Sequence, residues 1–173
     1  MQELKGFGLT LKLVDETTAE QVRIWRNDPS IAQFMEYKEN ITPEMQQIWL
    51  KNIQNSSDLF YVISKDEHLI GTIHLSQIKH QDKTAEAGIF IGNKDFSGTG
   101  ITLGASLLLL DLAFETLNLQ RIFAKINVEN KEAEQYNQLL GFEISNPLNA
   151  SFNYWFLEKE SFLKRKDFLK NLI

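Results

Sequence analysis

The chain has 173 residues, of which 43% are hydrophobic, with a formal net charge of −5 at pH 7 and no cysteine. This is typical of one globular domain over residues 1–173. The lack of cysteine excludes disulfides, thiolate zinc sites and a cysteine nucleophile, and the acidic balance argues against a nucleic-acid binder. With no apolar signal core and no run of about 18 apolar residues, we expect a cytoplasmic protein that does not enter a membrane.

The first third of the chain predicts a strand followed by three helical segments. Residues 9–14 alternate apolar and polar side chains, as a half-buried strand does. A capping pattern over 17–21 begins a helix that ends before Pro29, and a short helical turn follows at 31–35. Thr42-Pro43 begins the next helix, with Thr as cap and Pro at the first position. Its apolar spacing predicts one buried stripe. That stripe consists of Met45, Ile48, Trp49 and Ile53.

Three strands joined by polar turns come next. They are predicted over 59–63, 69–78 and 84–91. A glycine-rich turn at 97–102 then precedes the most apolar helix, predicted over 103–117. Glycines before a helix let backbone N–H groups converge on an anion at the positive end of the helix dipole. We therefore expect a phosphate-bearing ligand at this turn, and a turn without a ligand is the alternative. The spacing fits neither a P-loop nor a dinucleotide fingerprint.

The last third predicts a strand, a helix, two more strands and an amphipathic tail. Asn130 caps the helix and Gly141 ends it. The segments are the strand 121–128, the helix 131–140, the strands 142–144 and 152–157, and the tail 158–172. The tail either caps the fold or forms a homodimer contact. The element order predicts an α/β (α+β) fold in three layers, with a mixed, mostly antiparallel sheet of about seven strands and helices on both faces.

Two motifs in this order resemble those of the GNAT superfamily of acyl-CoA-dependent N-acetyltransferases. The glycine turn resembles the family loop Q/R-x-x-G-x-G/A, with Ser97 in place of Gln/Arg and Thr102 in place of the last Gly/Ala. Residues 130–142, NKEAEQYNQLLGF, resemble the signature N-x-x-A-x-x-x-Y-x-x-x-G-F. Residues 25–35 and 41–50 are similar to the branch that acetylates ribosomal-protein N-termini, polyamines and amino sugars.

The resemblance implies direct acetyl transfer from acetyl-CoA, used as co-substrate without a metal, to a primary amine on a small molecule or a protein N-terminus. Tyr136 would be the acid that protonates the leaving thiolate, and Glu86 or His74 the base. The alternatives are a core tyrosine with a satisfied hydroxyl, a strand-end ion pair for Glu86 and a partly buried, hydrogen-bonded His74. A catalytically idle acyl-CoA-binding module on the same fold is the rival function, motivated by Ser97 and Thr102.

The resemblance also assigns binding residues. The cofactor-binding set is Ile89, Phe90, Ile91, Ser97, Gly98, Thr99, Gly100, Ile101, Thr102, Asn127 and Asn130. The residues expected to border the acceptor are Arg26, Asn27, Met35, Glu36 and Tyr37. For Arg26, a surface salt bridge is the competing interpretation.

Overall fold

An eight-stranded sheet forms the centre of the computed structural model, which describes residues 3–96, 100–147 and 149–173. The strands are β1 (Glu3–Gly6), β2 (Leu9–Leu13), β3 (Leu59–Lys65), β4 (His68–Lys79), β5 (Thr84–Ile91), β6 (Arg121–Asn127), β7 (Glu143–Pro147) and β8 (Phe152–Glu158). Their spatial order is β1-β2-β3-β4-β5-β6-β8-β7. Neighbouring described strands are antiparallel except β5 and β6, which are parallel. The mixed, mostly antiparallel sheet is therefore confirmed.

Helices cover both faces of this sheet, which confirms the three-layer arrangement. They are α1 (Ala19–Arg26), α2 (Pro29–Ala32), α3 (Pro43–Gln54), α4 (Ile101–Asp111), α5 (Lys131–Leu140) and α6 (Lys159–Lys170). Helices α1 and α3 pack on one face through a small core that includes Val22, Leu50 and Val62. Helices α4, α5 and α6 pack on the other face through the main core. We call these the α1 face and the α4 face.

The sheet has one more strand than the sequence predicts, because β1 forms a hairpin with β2. Phe7 and Gly8 link them, with φ angles of 53° and 68°, and Gly6 pairs with Leu9 on either side of the turn. Two consecutive residues with positive φ are the requirement of the tight turn that suits a twisted hairpin. Strand β1 was overlooked because none of its residues is fully buried, so it carries little apolar alternation.

The predicted capping pattern of α1 is wrong in detail. The helix begins at Ala19, but the Thr18 side chain makes no capping hydrogen bond. The Asp15 carboxylate instead accepts from the backbone N–H groups of Thr17 and Thr18, at 3.0 and 3.2 Å. An acidic residue upstream of the helix therefore satisfies the N–H groups and complements the helix dipole.

The predicted stripe of α3 is also wrong in part. Met45 and Ile48 are exposed, Ile48 at 61%. The side facing the protein consists of Gln46, Trp49, Leu50 and Ile53. Gln46 tolerates burial because its amide Nε2 donates to the carbonyl of Ala19, at 2.7 Å. An apolar pattern alone does not reveal that a polar side chain has this partner.

Helix α4 is buried along most of its length and begins two residues earlier than predicted. A π-helical turn, Leu112–Thr116, continues it. In α6, Phe162 and Leu169 are fully buried, and the Phe162 ring lies 5.4 Å from that of Phe114. The tail therefore caps the fold, while the homodimer contact stays a prediction. Among the helices of the described ranges, none is both long and apolar enough to cross a membrane.

Candidate active site

Strands β5 and β6 part in the middle of the sheet. Their parallel register covers Thr84 to Glu86 on β5 and ends at the pair Glu86 and Phe123. Beyond it, β5 continues to Ile91 against β4, while β6 continues to Asn127 against β8. The result is a gap that opens towards the carboxyl ends of both strands. Backbone groups that line such a gap lack a sheet partner and are available to a ligand.

The backbone alternation of β5 shows which groups face this gap. The N–H of Gly92 donates to the carbonyl of Ile70 on β4, at 2.8 Å. Since backbone polar groups alternate sides along a strand, Phe90 also turns its N–H to β4, and Ile89 and Ile91 turn theirs towards β6. Ile89 and Ile91 thus offer donors in the gap. The Phe90 ring packs edge-on against the Trp25 ring, with the ring centres 6.4 Å apart.

The amino terminus of α4 lies after this gap. Gly100 is its N-cap, with a φ of 74° that favours glycine. The first contacts within the helix run from the N–H groups of Leu103 and Gly104 to the carbonyl of Gly100. The N–H groups of Ile101 and Thr102 precede the helical ladder, as expected for an anion site. The predicted contacts Ser97, Gly98 and Thr99 lie outside the described residues.

Tyr136 reaches from α5 to the first turns of α4. Its hydroxyl donates to the carbonyl of Thr102 at 2.9 Å and accepts from the hydroxyl of Ser106 at 2.7 Å. Burial raises the pKa of Tyr136, and the Ser106 hydrogen bond acts in the opposite direction. The phenol therefore stays protonated at neutral pH, as an acid must before it donates.

Glu86 lies on the α1 face at the point where β5 and β6 part. Strand β4 carries a bulge between Ser76 and Lys79, and Gln77 within it has a φ of 51°. Its Nε2 donates to Glu86 Oε2 at 3.3 Å. The bulge thus aims a side chain into the site, as bulges near active sites commonly do.

A charge cluster surrounds this carboxylate. Lys125 Nζ on β6 binds Glu36 Oε2 at 2.9 Å, and the Lys125 side chain is only 18% exposed. Burial raises the pKa of Glu86, while the charge of Lys125 lowers it and that of Glu36 raises it further. Burial also acts to lower the pKa of Lys125, but its bond to Glu36 and the charge of Glu86 outweigh this, so its pKa is raised.

His74 lies on β4, opposite the residue that comes two positions after Glu86 on β5. It pairs with Gly88 of β5, and its ring stacks on Phe60 with the ring centres 4.6 Å apart. A Cβ at Gly88 would lie 2.4 Å from His74 Cε1, so only glycine leaves room for the imidazole. Burial, and then the positive charge of Arg26, lower the pKa of His74 to about 4. The imidazole is therefore neutral at physiological pH.

The end of α1 places the predicted acceptor residues. The Asn27 side chain makes two hydrogen bonds to the backbone of Ile41. Its Nδ2 donates to the Ile41 carbonyl at 2.9 Å, and its Oδ1 accepts from the Ile41 N–H at 2.8 Å. This pair closes the loop that carries Met35, Glu36 and Tyr37. Met35 is half-buried, and Tyr37 is 43% exposed. Of these three residues, Glu36 is the one that the structure brings to Glu86, through Lys125.

Asn127 and Asn130 both have structural partners after β6. Asn127 is buried, and its Oδ1 accepts from the N–H of Glu129 at 3.0 Å. Asn130 caps α5, since its Oδ1 accepts from the N–H of Ala133 at 3.0 Å. The predicted cap is therefore confirmed. Their roles as cofactor contacts stay predictions.

An open cavity of about 530 Å³ lies on the α1 side, next to the end of β5. Its lining residues include Trp25, Asp28, Leu69, Gly92 and Asn93. Glu86, Tyr136 and the start of α4 do not line it. It is therefore an alternative place for a ligand.

The parted strands β5 and β6, together with the N–H groups of Ile101 and Thr102, suit an extended ligand that carries phosphate. Residues 9–143 match the acetyltransferase (GNAT) domain, and the chain belongs to this family. Spermidine N(1)-acetyltransferase of Escherichia coli (strain K12) is 26% identical over 137 residues, 79% of this chain and 68% of that protein. Acetyltransferase PseH of Campylobacter jejuni (strain 81-176) is 28% identical over 139 residues, 79% of this chain and 85% of that protein.

The fold also matches solved structures. Spermidine N-acetyltransferase from Vibrio cholerae, in complex with CoA and spermine, superimposes with a TM-score of 0.81 at 22% identity, covering 91% of this chain and 99% of that chain. The predicted family and fold are confirmed. The protein is an N-acetyltransferase, and acetyl-CoA is its co-substrate. Among the described residues, no group of three or more His, Asp or Glu side chains could hold a metal ion.

Three site residues were missed in the sequence, namely Gln77, Lys125 and Ser106. Lys125 and Ser106 each gave a signal. Lys125 is a charged residue within a strand whose alternate positions, Ile122, Ala124 and Ile126, are buried. Ser106 is a hydroxyl inside the most apolar helix, four residues after Thr102 and therefore on the same side. A polar residue in an otherwise apolar element needs a partner when it is buried, and here the partners belong to the site.

We expect His74 to make the protein less stable as the pH falls from 6.5 to about 4. The unfolded imidazole takes up a proton near its ordinary pKa of 6.5, whereas the folded one does so only near 4. The unfolded state then binds more protons, so this residue should lower the free energy of unfolding by about 1.4 kcal/mol per pH unit in that window. Urea unfolding of the wild type and of His74→Gln at several pH values measures this slope.

His80→Gln is the matched control, because His80 is exposed in the turn between β4 and β5. The control should keep the wild-type slope, and His74→Gln should flatten it. An unchanged slope in His74→Gln would show that the folded imidazole takes up its proton as readily as the unfolded one.

Proposed function

We propose that this acetyltransferase moves the acetyl group directly from acetyl-CoA to a primary amine held on the α1 face. The observation that carries the proposal is the position of Tyr136 and Glu86. They come from opposite faces of the sheet, Tyr136 from the α4 side beside α4 and Glu86 from the α1 face where β5 and β6 part. A reaction that takes a proton from one reactant and gives one to the other needs such a pair.

The gap and the start of α4 would hold acetyl-CoA. The N–H groups of Ile101 and Thr102, at the positive end of α4, are suited to phosphate oxygens. The N–H groups of Ile89 and Ile91 are suited to an extended chain with amide carbonyls, in the way that a peptide adds to a sheet edge. The co-substrate is thus bound mainly by the backbone, which explains why the glycine turn needs no basic side chain.

Glu86 is the base in this proposal. It lies where the strands part, and burial raises its pKa towards the range in which a carboxylate accepts a proton more readily. His74 is neutral, but its low pKa makes it a poor base, and its ring is stacked on Phe60. We assign His74 a packing role.

In the reaction, the amine nitrogen attacks the thioester carbonyl carbon. The new C–N bond forms, the C–S bond breaks, Glu86 takes the amine proton directly or through water, and the thiolate takes the proton of Tyr136. The Tyr136 hydroxyl would exchange its Thr102 carbonyl for the sulfur. The Ser106 hydroxyl, which donates to the Tyr136 oxygen at 2.7 Å, would then stabilise the phenolate. We further infer that the enzyme works in the cytoplasm, where acetyl-CoA is available.

Tyr136→Phe should lower turnover about 100-fold or more, since general acid catalysis contributes at least this much. Affinity for acetyl-CoA should stay, because the phenyl ring still fills the same space. Thiol release with a panel of amines measures turnover, and calorimetric titration with acetyl-CoA is the control for binding. Unchanged turnover would rule out Tyr136 as the acid. Binding by both proteins without turnover of any amine would favour the idle acyl-CoA-binding module.

Glu86→Gln should remove the acid limb of the pH profile of kcat/KM. In the wild type, Glu86 must be ionised to accept a proton, so activity falls as the pH drops through its pKa, which lies above the ordinary 4.5. The variant should be slower by about 100-fold or more. Glu160→Gln, on the exposed side of α6, is the matched control. A variant that keeps the wild-type profile with the same amine would mean that another group is the base.

A further inference from the structure

Arg26 is a cation without an anionic partner among the residues that the structure describes. It is the last residue of α1 and is half-buried. Its Nε is buried and has no hydrogen-bond partner within the described part of the chain. Burial lowers the pKa of its guanidinium, and no carboxylate of the described ranges opposes this effect. Within those ranges, the surface salt bridge that the sequence suggests for Arg26 is therefore not formed.

This guanidinium belongs to the same face as the proposed base. Its charge acts on His74, which pairs with Gly88 of β5 and covers it. Gly88 is two residues from Glu86, roughly 7 Å along the strand. The neighbouring side chains on α1 have other tasks, since Trp25 packs on Gly92 and Asn27 closes the acceptor loop. Arg26 therefore lies on the α1 face near His74, which covers β5 at Gly88 beyond Glu86.

Lys125, the second cation of this face, differs from Arg26 because it has a counter-ion. Its Nζ lies 2.9 Å from Glu36 Oε2. An arginine stays charged at every physiological pH, and partial burial of a charge without a counter-ion is unfavourable. Proteins retain such a group when a ligand supplies the missing charge, and a guanidinium binds phosphate or carboxylate through two parallel hydrogen bonds.

We infer that the acceptor amine carries an oxyanion, a phosphate or a carboxylate, and that Arg26 binds this group. The inference rests on the proposed function, because it takes the α1 face as the acceptor site. It makes Arg26 a specificity-determining residue, and it disfavours a polyamine, which has only positive charges to present to the guanidinium.

Matched pairs of amines test this inference. Glucosamine 6-phosphate and glucosamine represent the phosphate source, alanine and alaninamide the carboxylate source, and spermidine the polycation. The wild type should show a higher kcat/KM for the anionic member of at least one pair. Arg26→Gln should lower that value about 10- to 100-fold, as expected for a lost hydrogen bond to a charged group, and leave the neutral member unchanged. Arg165→Gln, on exposed α6, is the matched control.

Measuring the stability of Arg26→Gln distinguishes a binding role of Arg26 from a structural one. Since the buried Nε has no partner among the described residues, Arg26→Gln should unfold at the same or a higher urea concentration than the wild type. A clear loss of stability together with equal losses for neutral and anionic amines would overturn the inference. A preference for spermidine or for the neutral members, unchanged in Arg26→Gln, would overturn it and leave the proposed function standing.

Binding to the CoA-saturated protein covers the case in which no probe is acetylated. Calorimetry that shows a preference for the anionic probe, lost in Arg26→Gln, would support the inference while the proposed catalysis fails. Equal binding of both members of each pair would overturn the inference as well.

Discussion

The point at which β5 and β6 stop pairing, at Glu86 and Phe123, is the constraint on which the site depends. A continuous parallel ladder would use the N–H groups of Ile89 and Ile91 within the sheet. Because β6 turns to β8 instead, these groups face a gap. The gap also makes the two faces of the sheet accessible to one extended ligand, although helices cover each face separately.

The two faces contribute different chemistry. On the α4 face, burial raises the pKa of Tyr136 so that its proton is retained, and its hydroxyl makes two hydrogen bonds to α4. On the α1 face, the ion pair of Lys125 and Glu36 acts on Glu86, and Arg26 near His74 has no counter-ion within the described part of the chain. Tyr136, the proposed acid, therefore has fixed, local partners, whereas the groups of the proposed acceptor side depend on loop residues and on what the acceptor brings.

Local signals predicted most of the fold and part of the site. The glycine turn, the Asn130 cap and the strand order led to the family because each reflects backbone geometry within a few residues. The errors arose where a distant partner decides the outcome. Gln46 is buried because Ala19 accepts its amide proton, and Lys125 is half-buried because Glu36 pairs with it. Arg26 has no ion pair with any described residue. Residue spacing contains no information about such partners.

Amide hydrogen exchange with and without CoA tests the central claim most directly, because it locates the ligand without requiring an acceptor. The account predicts that CoA slows exchange at Ile89 and Ile91 on β5 and at Ile101 and Thr102 at the start of α4. The open cavity lined by Leu69 and Asn93 is the alternative place for the ligand. Protection confined to that cavity, with Ile89 and Ile91 unchanged at saturating CoA, would contradict the claim that the parted strands hold the co-substrate.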